Sequence, residues 1–230
     1  MSRKRPEPLP RIYDIEAVVF DLDGVLVDSE PIHFRAANRV LSRYGASIAA
    51  DEYSSFIGLG ETATWQAWRV RSGIADSVEM LVAAHTEARL KEIAAGVDPI
   101  DVAVELVRQL HASGMRLAIA SSSTRRVIDA LLLALGLDGT FTVRISGEDP
   151  EVRASKPAPD VYLAAAARLG ITPAACLAIE DSGPGVLAAK RAGMTCIAVP
   201  NRWTADQDFS HADVVLESLR YFPLLVAHDA

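Results

Sequence analysis

Two acids at the end of an apolar run are the first residues whose spacing suggests chemistry. Asp21 and Asp23 directly follow the run Ile15–Phe20, within FDLDGVLVDSE. Side chains at positions i and i+2 of a strand point the same way, so both acids would face one side of the strand end. Burying carboxylates is costly without a compensating role, and Gly24 permits a tight turn after them. The pattern indicates a functional pair; its alternative is a loop of solvated acids.

A serine-rich loop and a lysine are the next candidates. Ser121, Ser122 and Ser123 follow the apolar run RLAIA and precede a predicted helix. Hydroxyls and free amides at a helix N-terminus form an anion site. Lys156 lies in SKPAPD before another predicted helix, where a compact ammonium suits a phosphate oxygen or a carboxylate. Each also fits an ordinary role, as a helix cap or a solvated loop lysine.

Two adjacent acids complete the set. Glu180 and Asp181 end the run CLAI and precede SGPG. Adjacent carboxylates repel each other unless a cation lies nearby, and Mg²⁺ prefers a few carboxylate oxygens. A polar loop rim is the structural alternative. Since all four groups fall at one predicted edge of a parallel sheet, the sequence predicts one shared active site there.

The elements that must position these residues alternate along the chain. Short apolar runs predict buried strands, helical spacing predicts the segments between them, and glycines close several helices. The alternation favours an α/β fold, a doubly wound, Rossmann-like parallel sheet with helices on both faces. The predicted strands are Ile15–Phe20, Arg116–Ala120, Phe141–Ile145, Cys176–Ile179 and Thr195–Val199. The predicted helices are Val102–Ala112, Arg125–Leu135, Asp160–Leu169 and Gly185–Ala192.

The segment 32–97 breaks this alternation. It contains no convincing strand, has helical composition and directly follows the first strand and its turn. An insert at that point would lie over the carboxyl edge of the sheet, where open α/β sheets bind ligands. We therefore predict a flexible tail at 1–13, a core domain at 14–31 and 98–230, and an all-helical cap domain at 32–97.

Composition narrows the class of function. The 230 residues carry a net charge of −7, so we expect no basic face for nucleic acid. No apolar run approaches the roughly 18 residues of a membrane span, and the basic N-terminus lacks the apolar stretch of a signal peptide. Cys176 and Cys196 form no CxxC pair, which favours buried thiols. We expect a cytoplasmic protein without a membrane or obligate protein partner.

The four motifs together resemble those of the haloacid dehalogenase superfamily, in its β-phosphoglucomutase-like and sugar-phosphatase branch with a helical cap. The likeness extends from Val18 to about Val199 and rests on FDLDGVLVDSEPIHFRA, ASSS, SKPAPD and IEDSGPG, in that order. It implies a Mg²⁺-dependent phosphatase that hydrolyses a small phosphomonoester through an aspartyl-phosphate. The expected substrate is a sugar or polyol phosphate.

The resemblance also implies a role for each motif residue. Asp21 would be the nucleophile, and Asp23 would protonate the leaving group and then activate water. Asp23 must then be at least partly protonated when substrate binds. The expected metal ligands are Asp21, Asp23, Glu180 and Asp181. The expected phosphate ligands are Ser121, Ser122 and Lys156.

Substrate choice is expected to depend on the cap and on residues beside the serine loop. The candidates are His33, Gly58, Leu59, Gly60, Glu61, Trp65, Ser123 and Arg125. His33 would orient Asp23, or else lie on a helix surface. Glu61, if it faces the site, would accept hydrogen bonds from sugar hydroxyls and repel a second phosphate. Trp65 and Trp68 are more typical of a cap core than of a sugar platform.

Other activities are open to this family. A phosphosugar mutase of the β-phosphoglucomutase type is the main alternative, but those mutases carry basic groups where this chain has Ile57 and Glu61, and Lys-Asn where it has Thr124 and Arg125. Arg125 could still contact an anion. A dehalogenase would lack Asp23, and a phosphonate hydrolase needs a cap lysine, for which only Lys91 is available. A degenerate, non-catalytic binding protein is the alternative from another class.

Overall fold

The protein, described here by a computed structural model over residues 15–56 and 60–222, is built on a parallel sheet. Within these residues the sheet has six strands, in the order β3-β2-β1-β4-β5-β6. Each pair of neighbours is parallel. The strands are β1 (Ala17–Phe20), β2 (Arg116–Ala120), β3 (Val143–Ile145), β4 (Cys176–Glu180), β5 (Thr195–Ala198) and β6 (Val214–Val215).

The central strand β1 brings three parts of the chain to one edge. Phe20 pairs with Ile119 of β2 on one side and with Ile179 of β4 on the other. All four β1 residues are buried, as an apolar run covered on both faces requires. Because the three strands end in register, the residues that follow them must emerge side by side.

Helices cover both faces of the sheet. One face carries a cluster of larger apolar side chains that includes Phe20 and Ile119. The other carries an alanine-rich cluster that includes Ala178 and Tyr162. The flanking helices are α5 (Asp101–Ala112), α6 (Arg125–Ala134), α7 (Asp160–Leu169) and α8 (Gly183–Arg191).

The segment after β1 folds into helices with a core of their own. Its helices are α1 (Glu30–Leu41), α2 (Ala50–Ser54), α3 (Glu61–Ser72) and α4 (Val78–Ala95). A third apolar cluster, formed by residues between 36 and 88, lies among them and contains Trp65 and Trp68. Their rings pack edge to face with centroids 5.0 Å apart. The helical insertion is confirmed, whereas the exact domain bounds stay a proposal.

Two stretches of chain connect these helices to the sheet, and they run side by side. Val27 forms an antiparallel bridge with Pro99. The Asp28 amide donates to the Asp98 carbonyl at 2.9 Å, and the Ile100 amide donates to the Leu26 carbonyl at 2.9 Å. The chain therefore leaves the sheet and returns to it through one short paired segment.

The sequence-based elements agree with the structure, with a few differences. The five predicted strands and four predicted helices are present, with ends shifted by a few residues. The short strand β6 was not predicted, because two valines at a sheet edge leave little periodic signal. The predicted tail 1–13 lies outside the described residues. Both cysteines are buried free thiols. Across the described chain, no helix is long and apolar enough to cross a membrane.

Candidate active site

Three of the predicted groups meet at the carboxyl ends of β1 and β4. The Lys156 Nζ atom lies 2.5 Å from Asp21 Oδ1 and 2.6 Å from Glu180 Oε1. It also donates to the Ala120 carbonyl at the end of β2, at 3.0 Å. Lys156 thus connects three strand ends, and its ammonium is the positive charge next to the predicted nucleophile.

Burial sets the ionisation of this cluster. Burial raises the pKa of Asp21 to about 8, and the nearby Lys156 charge opposes the rise only in part. Burial also disfavours the charged form of Lys156, but Asp21 and Glu180 outweigh it and raise the pKa of the ammonium above its usual value. The single positive charge of Lys156 therefore does not neutralise the negative charges of the acids around it. A further cation would favour the ionised form of Asp21.

The acids form a group suited to a hard cation. Asp21, Glu180 and Asp181 are all buried, and each offers a carboxylate oxygen within 4.8 Å of the others. Burial, reinforced by the charges of Glu180 and Asp21, raises the pKa of Asp181 well above its usual value. Carboxylate oxygens are what Mg²⁺ prefers. The donor set therefore fits a divalent cation.

Glu180 is held by hydrogen bonds at both oxygens. Its Oε1 atom accepts from Lys156 and from the Tyr162 hydroxyl, each at 2.6 Å. Its Oε2 atom accepts from the Asp181 amide at 3.1 Å and from the Ser182 amide and hydroxyl at 3.3 and 3.1 Å. Glu180 is therefore better placed to anchor Lys156 than to bind a metal directly.

Asp181 is fixed by two neighbours: Asn201, which sequence analysis did not select, and Gly24, which it selected only for the turn. The Asn201 Nδ2 atom donates to Asp181 Oδ2 at 2.7 Å. Gly24 has a φ of 78°, and a Cβ atom there would lie 2.1 Å from the same oxygen. Only glycine suits this turn, because any side chain would collide with the carboxylate.

The serine loop contacts Asp23 directly. The Ser123 hydroxyl donates to Asp23 Oδ2 at 2.8 Å, and the Ser121 hydroxyl donates to the same oxygen at 3.3 Å. Ser122 is exposed, and a Cβ atom on Gly147 would lie 2.6 Å from its carbonyl oxygen. The motif that contains Asp23 and the serine loop are therefore in direct contact and form one polar pocket.

An arginine from the helical insertion reaches into this space. The Arg89 Nη2 atom, from α4, lies 3.3 Å from Asp23 Oδ1 and donates to the Ser123 hydroxyl at 3.1 Å. Arg89 is only 2 % exposed, and its Nε atom has no hydrogen-bond partner among the described residues. A buried guanidinium with an unused donor is suited to an oxygen-rich ligand.

The surroundings of Asp23 favour its charged form. Burial by itself would raise the pKa of Asp23, but the contact with His33 and the charges of Arg89 and His33 prevail and lower it. The His33 Nε2 atom lies 3.5 Å from Asp23 Oδ1. The predicted proximity of His33 and Asp23 is thus present. His33 and the buried Arg89, which the sequence did not reveal, both favour ionised Asp23, so the partial protonation of Asp23 on substrate binding stays a prediction.

Of the remaining cap candidates, Gly60 and Glu61 lie at the start of α3, Trp65 lies in the core of the insertion, and two others are not described. A Cβ atom on Gly60 would lie 3.9 Å from the Ser155 hydroxyl, so the start of α3 approaches the lysine loop. Glu61 Oε1 lies 2.6 Å from His85 Nδ1. Trp65, by contrast, is 1 % exposed in the insertion's own core, which argues against a substrate contact. Gly58 and Leu59 lie outside the described residues.

Arg125 is engaged elsewhere. Its Nη2 atom lies 2.9 and 2.7 Å from the two carboxylate oxygens of Asp149. A contact with a substrate anion would have to compete with this ion pair.

The residues that sequence analysis missed gave only weak signals. His85, Arg89 and Glu92 recur at i, i+4 and i+7 on α4, and all three are buried. Buried polar side chains along one face of a helix indicate partners across an interface. Tyr162 and Asn201 had no comparable pattern, because their partners are distant in sequence.

A family model described as haloacid dehalogenase-like hydrolase matches residues 18–199. The chain belongs to this family. It is 36 % identical to protein CbbY of Rhodobacter capsulatus over 210 residues, covering 87 % of this chain and 92 % of that protein. It is 34 % identical to hexitol phosphatase B of Escherichia coli over 208 residues, covering 89 % and 93 %. The predicted branch of the haloacid dehalogenase-like hydrolases is confirmed, and so is the prediction of a hydrolase.

Solved structures of the family share the fold. The structure of CbbY from Rhodobacter sphaeroides in complex with phosphate has a TM-score of 0.81 and 28 % identity, covering 94 % of this chain and 96 % of that one. A variant of the same protein in complex with xylulose 1,5-bisphosphate has a TM-score of 0.79, with the same identity and coverage. The predicted α/β fold with a helical insertion is therefore confirmed.

Proposed function

We propose that this hydrolase is a Mg²⁺-dependent phosphatase of small phosphomonoesters, with a sugar or polyol phosphate as substrate and Asp21 as nucleophile. The observation that carries the proposal is the contact of Lys156 with Asp21 inside a buried group of acids, with serine hydroxyls at the same edge. The relatives support the substrate class, since one is named for a hexitol phosphatase activity and another was crystallised with phosphate.

The buried acids would hold Mg²⁺. Asp21 and Asp181 would supply carboxylate oxygens and Asp23 its backbone carbonyl, while Glu180 would act mainly through Lys156. When bound, Mg²⁺ would offset the negative charge of a phosphate dianion and of the attacking carboxylate. This neutralisation is needed because the two anions otherwise repel each other.

The chain's own residues would bind and transfer the phosphoryl group. Ser121, the amides around Ser122 and the ammonium of Lys156 would hold phosphate oxygens. A carboxylate oxygen of Asp21 would attack phosphorus, and the bond to the alcohol oxygen would break, which leaves the phosphoryl group on Asp21. Water would then attack phosphorus and release inorganic phosphate with Asp21 restored.

Asp23 would move the protons in both steps. It would give a proton to the departing alkoxide and later take one from the attacking water. A phosphate that binds Ser121 and Ser123 would withdraw hydrogen-bond donors from Asp23 and place negative charge beside it. Both changes favour protonated Asp23. Substrate binding would therefore prepare the acid, whose ionised form His33 and Arg89 otherwise favour.

Hydrolysis suits this chain better than the mutase reaction. A mutase must hold a second phosphate while the intermediate reorients. Glu61 contacts His85 and supplies no positive charge, and Arg125 is paired with Asp149. Transfer to water is the simpler outcome.

The experiment that tests the proposal measures phosphate release from p-nitrophenyl phosphate with and without Mg²⁺. We expect Asp21→Asn to lower the rate by at least about 10⁴-fold while it keeps the fold. Asp206→Asn, which changes an exposed acid, is the matched control and should keep wild-type rates.

Two results would count against the proposal. Wild-type rates in Asp21→Asn would show that the nucleophile is misassigned. No release by the wild-type protein between about pH 5 and pH 9 would favour the binding-protein alternative.

A further inference from the structure

The loop of residues 201–203, which follows β5, contacts both the acids at the sheet edge and the paired segment that leads to the helical insertion. We propose that this loop is a positioning element that couples Mg²⁺ binding to the placement of the insertion. Asn201 would present Asp181 to the metal, while Arg202 and Trp203 hold Asp28 of the paired segment. This role rests on the proposed function, which supplies the metal.

Asn201 can face Asp181 in only one orientation. Its Oδ1 atom accepts from the Trp203 amide at 2.8 Å, so its Nδ2 atom is the donor to Asp181 Oδ2 at 2.7 Å. The Asn201 backbone is fixed as well, because its amide donates to the Thr204 hydroxyl and its carbonyl accepts from the Thr204 amide, each at 3.1 Å. Partners of this kind orient a metal-binding carboxylate. Asn201 would thus set the direction in which Asp181 faces a cation.

The loop is also fastened to the turn that follows Asp181. The Gln207 Oε1 atom accepts from the Gly183 amide at 2.8 Å, and the Gln207 amide donates to the Thr204 carbonyl at 2.9 Å. A Cβ atom on Gly183 would lie 2.8 Å from the Asp208 carbonyl oxygen. The loop is therefore tied to the sheet edge on the side of the metal site.

The next two residues of the loop hold the paired segment. The Arg202 Nη2 atom donates to Asp28 Oδ2 at 2.7 Å, and the Trp203 Nε1 atom donates to Asp28 Oδ1 at 3.1 Å. The guanidinium carbon of Arg202 lies 4.7 Å from the centroid of the Trp203 ring. Asp28 is the residue whose amide pairs with Asp98 where the chain leaves the sheet and returns. Each oxygen of its carboxylate thus has a donor from the loop.

The contacts of Asp28 are placed to change when the insertion moves. A cleft of 310 Å³ lies beside them, and its walls include Ile100 and Trp203. Packing there is incomplete, so the polar contacts of Asp28 contribute much of the connection between loop and segment. In this arrangement Arg89 of the insertion reaches Asp23. The paired segment must bend for the insertion to move away, and bending would strain the contacts of Asp28.

Such a coupling acts in both directions. A cation that binds Asp181 would order Asn201, and the ordered loop would favour the arrangement in which Asp28 is held. Coupling free energies are reciprocal. Loss of the Asp28 contacts must then weaken Mg²⁺ binding, although Asp28 is not one of the acids that would bind the metal.

The test measures Mg²⁺ affinity by isothermal titration calorimetry on the whole protein without a phosphate ester. Trp203→Phe removes one hydrogen bond but no charge, and we expect it to weaken Mg²⁺ binding by at least about threefold. Asn201→Ala should weaken it by about 10- to 100-fold. Asp206→Asn, which changes an exposed acid just after the loop, is the matched control and should keep the wild-type affinity.

A double variant shows whether Asp28 and Trp203 act through one contact. Asp28→Ala should weaken Mg²⁺ binding by at least about threefold. Asp28→Ala combined with Trp203→Phe should bind Mg²⁺ no more weakly than Asp28→Ala alone.

Hydrogen exchange followed by mass spectrometry measures the coupling in the opposite direction. In the wild type, saturating Mg²⁺ should slow exchange in the peptides that contain Asp28 and Ile100. In Trp203→Phe the slowing should be at least about threefold smaller. A merely structural loss would raise exchange equally with and without Mg²⁺.

Wild-type Mg²⁺ affinity in Trp203→Phe or in Asp28→Ala overturns the inference, and so does equal slowing of exchange in the wild type and Trp203→Phe. Absence of phosphate release from a protein that binds Mg²⁺ would refute the proposed function alone, and the same titrations would still decide the coupling. A wild-type protein that binds no Mg²⁺ would overturn both.

Discussion

Asp23, in the proposed mechanism, would serve two chemical roles in turn. Its carboxylate contacts donors from three parts of the chain: His33, Arg89 and the serine loop. Those donors favour the ionised form, which suits the base that activates water. A bound phosphate would compete for the same donors, which favours the acid that the first step needs. The substrate itself would thus set the order of the two proton transfers.

Substitution at this residue should separate the two steps. We expect Asp23→Asn to release p-nitrophenolate in a burst about equal to the enzyme concentration, followed by slow turnover. The p-nitrophenolate group leaves without a proton, whereas the water step still lacks its base. An alkyl phosphate should show no burst, because its alkoxide needs the acid.

Stopped-flow absorbance measures the burst, and calorimetry with Mg²⁺ supplies the control. Asp23→Asn should still bind Mg²⁺, since the expected ligand is its backbone carbonyl. Equal loss of rate with both esters and no burst would contradict the acid–base role.

Helix α4 is the element that connects the insertion to the active site. One face of it carries Glu92, which binds Arg35 and Arg39 of α1, and one helical turn earlier Arg89, which contacts Asp23. The Arg35 Nε atom lies 2.8 Å from Glu92, and the Arg39 Nη2 atom 2.6 Å. The ion pairs of Glu92 thus fix the helix that carries Arg89.

The stability of this element should depend on pH. The hydrogen bond from Arg35 lowers the pKa of Glu92; burial opposes it, and Arg39 adds to it. A carboxyl whose pKa folding lowers stabilises the folded state above its unfolded pKa and loses that contribution as pH falls. At pH 7 we expect Glu92→Gln to lower the free energy of unfolding by about 1–2 kcal/mol.

Urea denaturation at several pH values measures this difference. It should shrink as the pH falls below about 4.5, the ordinary pKa of a glutamate. Glu105→Gln should change the free energy of unfolding by less than about 0.5 kcal/mol. A pH-independent cost of Glu92→Gln would show that packing, not charge, is lost.

The molecule as a whole encloses its reactive groups between two bodies of structure. Arg89 contacts Asp23 across the interface, and Arg126 pairs with Glu87 across it. Gly60 approaches Ser155 from the same side. Asp21 is 6 % exposed, so we expect the insertion to move away from the sheet when a phosphate ester enters.

A bound metal should stabilise this arrangement measurably. At a Mg²⁺ concentration about 100 times its Kd we expect Tm to rise by about 5–10 °C, because the buried acids repel one another without it. Asp181→Asn should lose most of the rise, and Asp206→Asn should keep it. Differential scanning calorimetry with EDTA and with Mg²⁺ decides the matter. An equal rise in Asp181→Asn would place the metal elsewhere.

The sequence predicted those parts of the site that the topology determines. Asp21, Asp23 and Asp181 follow strand ends, and parallel strands in register bring such residues together whatever the helices do. Arg89 and Asn201 could not be predicted in this way. Each contacts a carboxylate that is far away in sequence. Arg89 reaches Asp23 because the helical insertion packs against the sheet, and Asn201 reaches Asp181 because the loop after β5 folds back over the strand ends.

The paired segment at Val27 and Pro99 has a consequence for the history of such enzymes. Because the chain leaves and re-enters the sheet at adjacent points, the helices between them can be exchanged as a cassette without moving β1. A lineage can then acquire a new substrate by altering or replacing residues 30–97 while Asp21, Lys156 and Asp181 stay where they are. Substrate specificity could then change in one stretch of the sequence while the residues of the sheet edge stay constant in another, and the Val27–Pro99 bridge marks the boundary between the two.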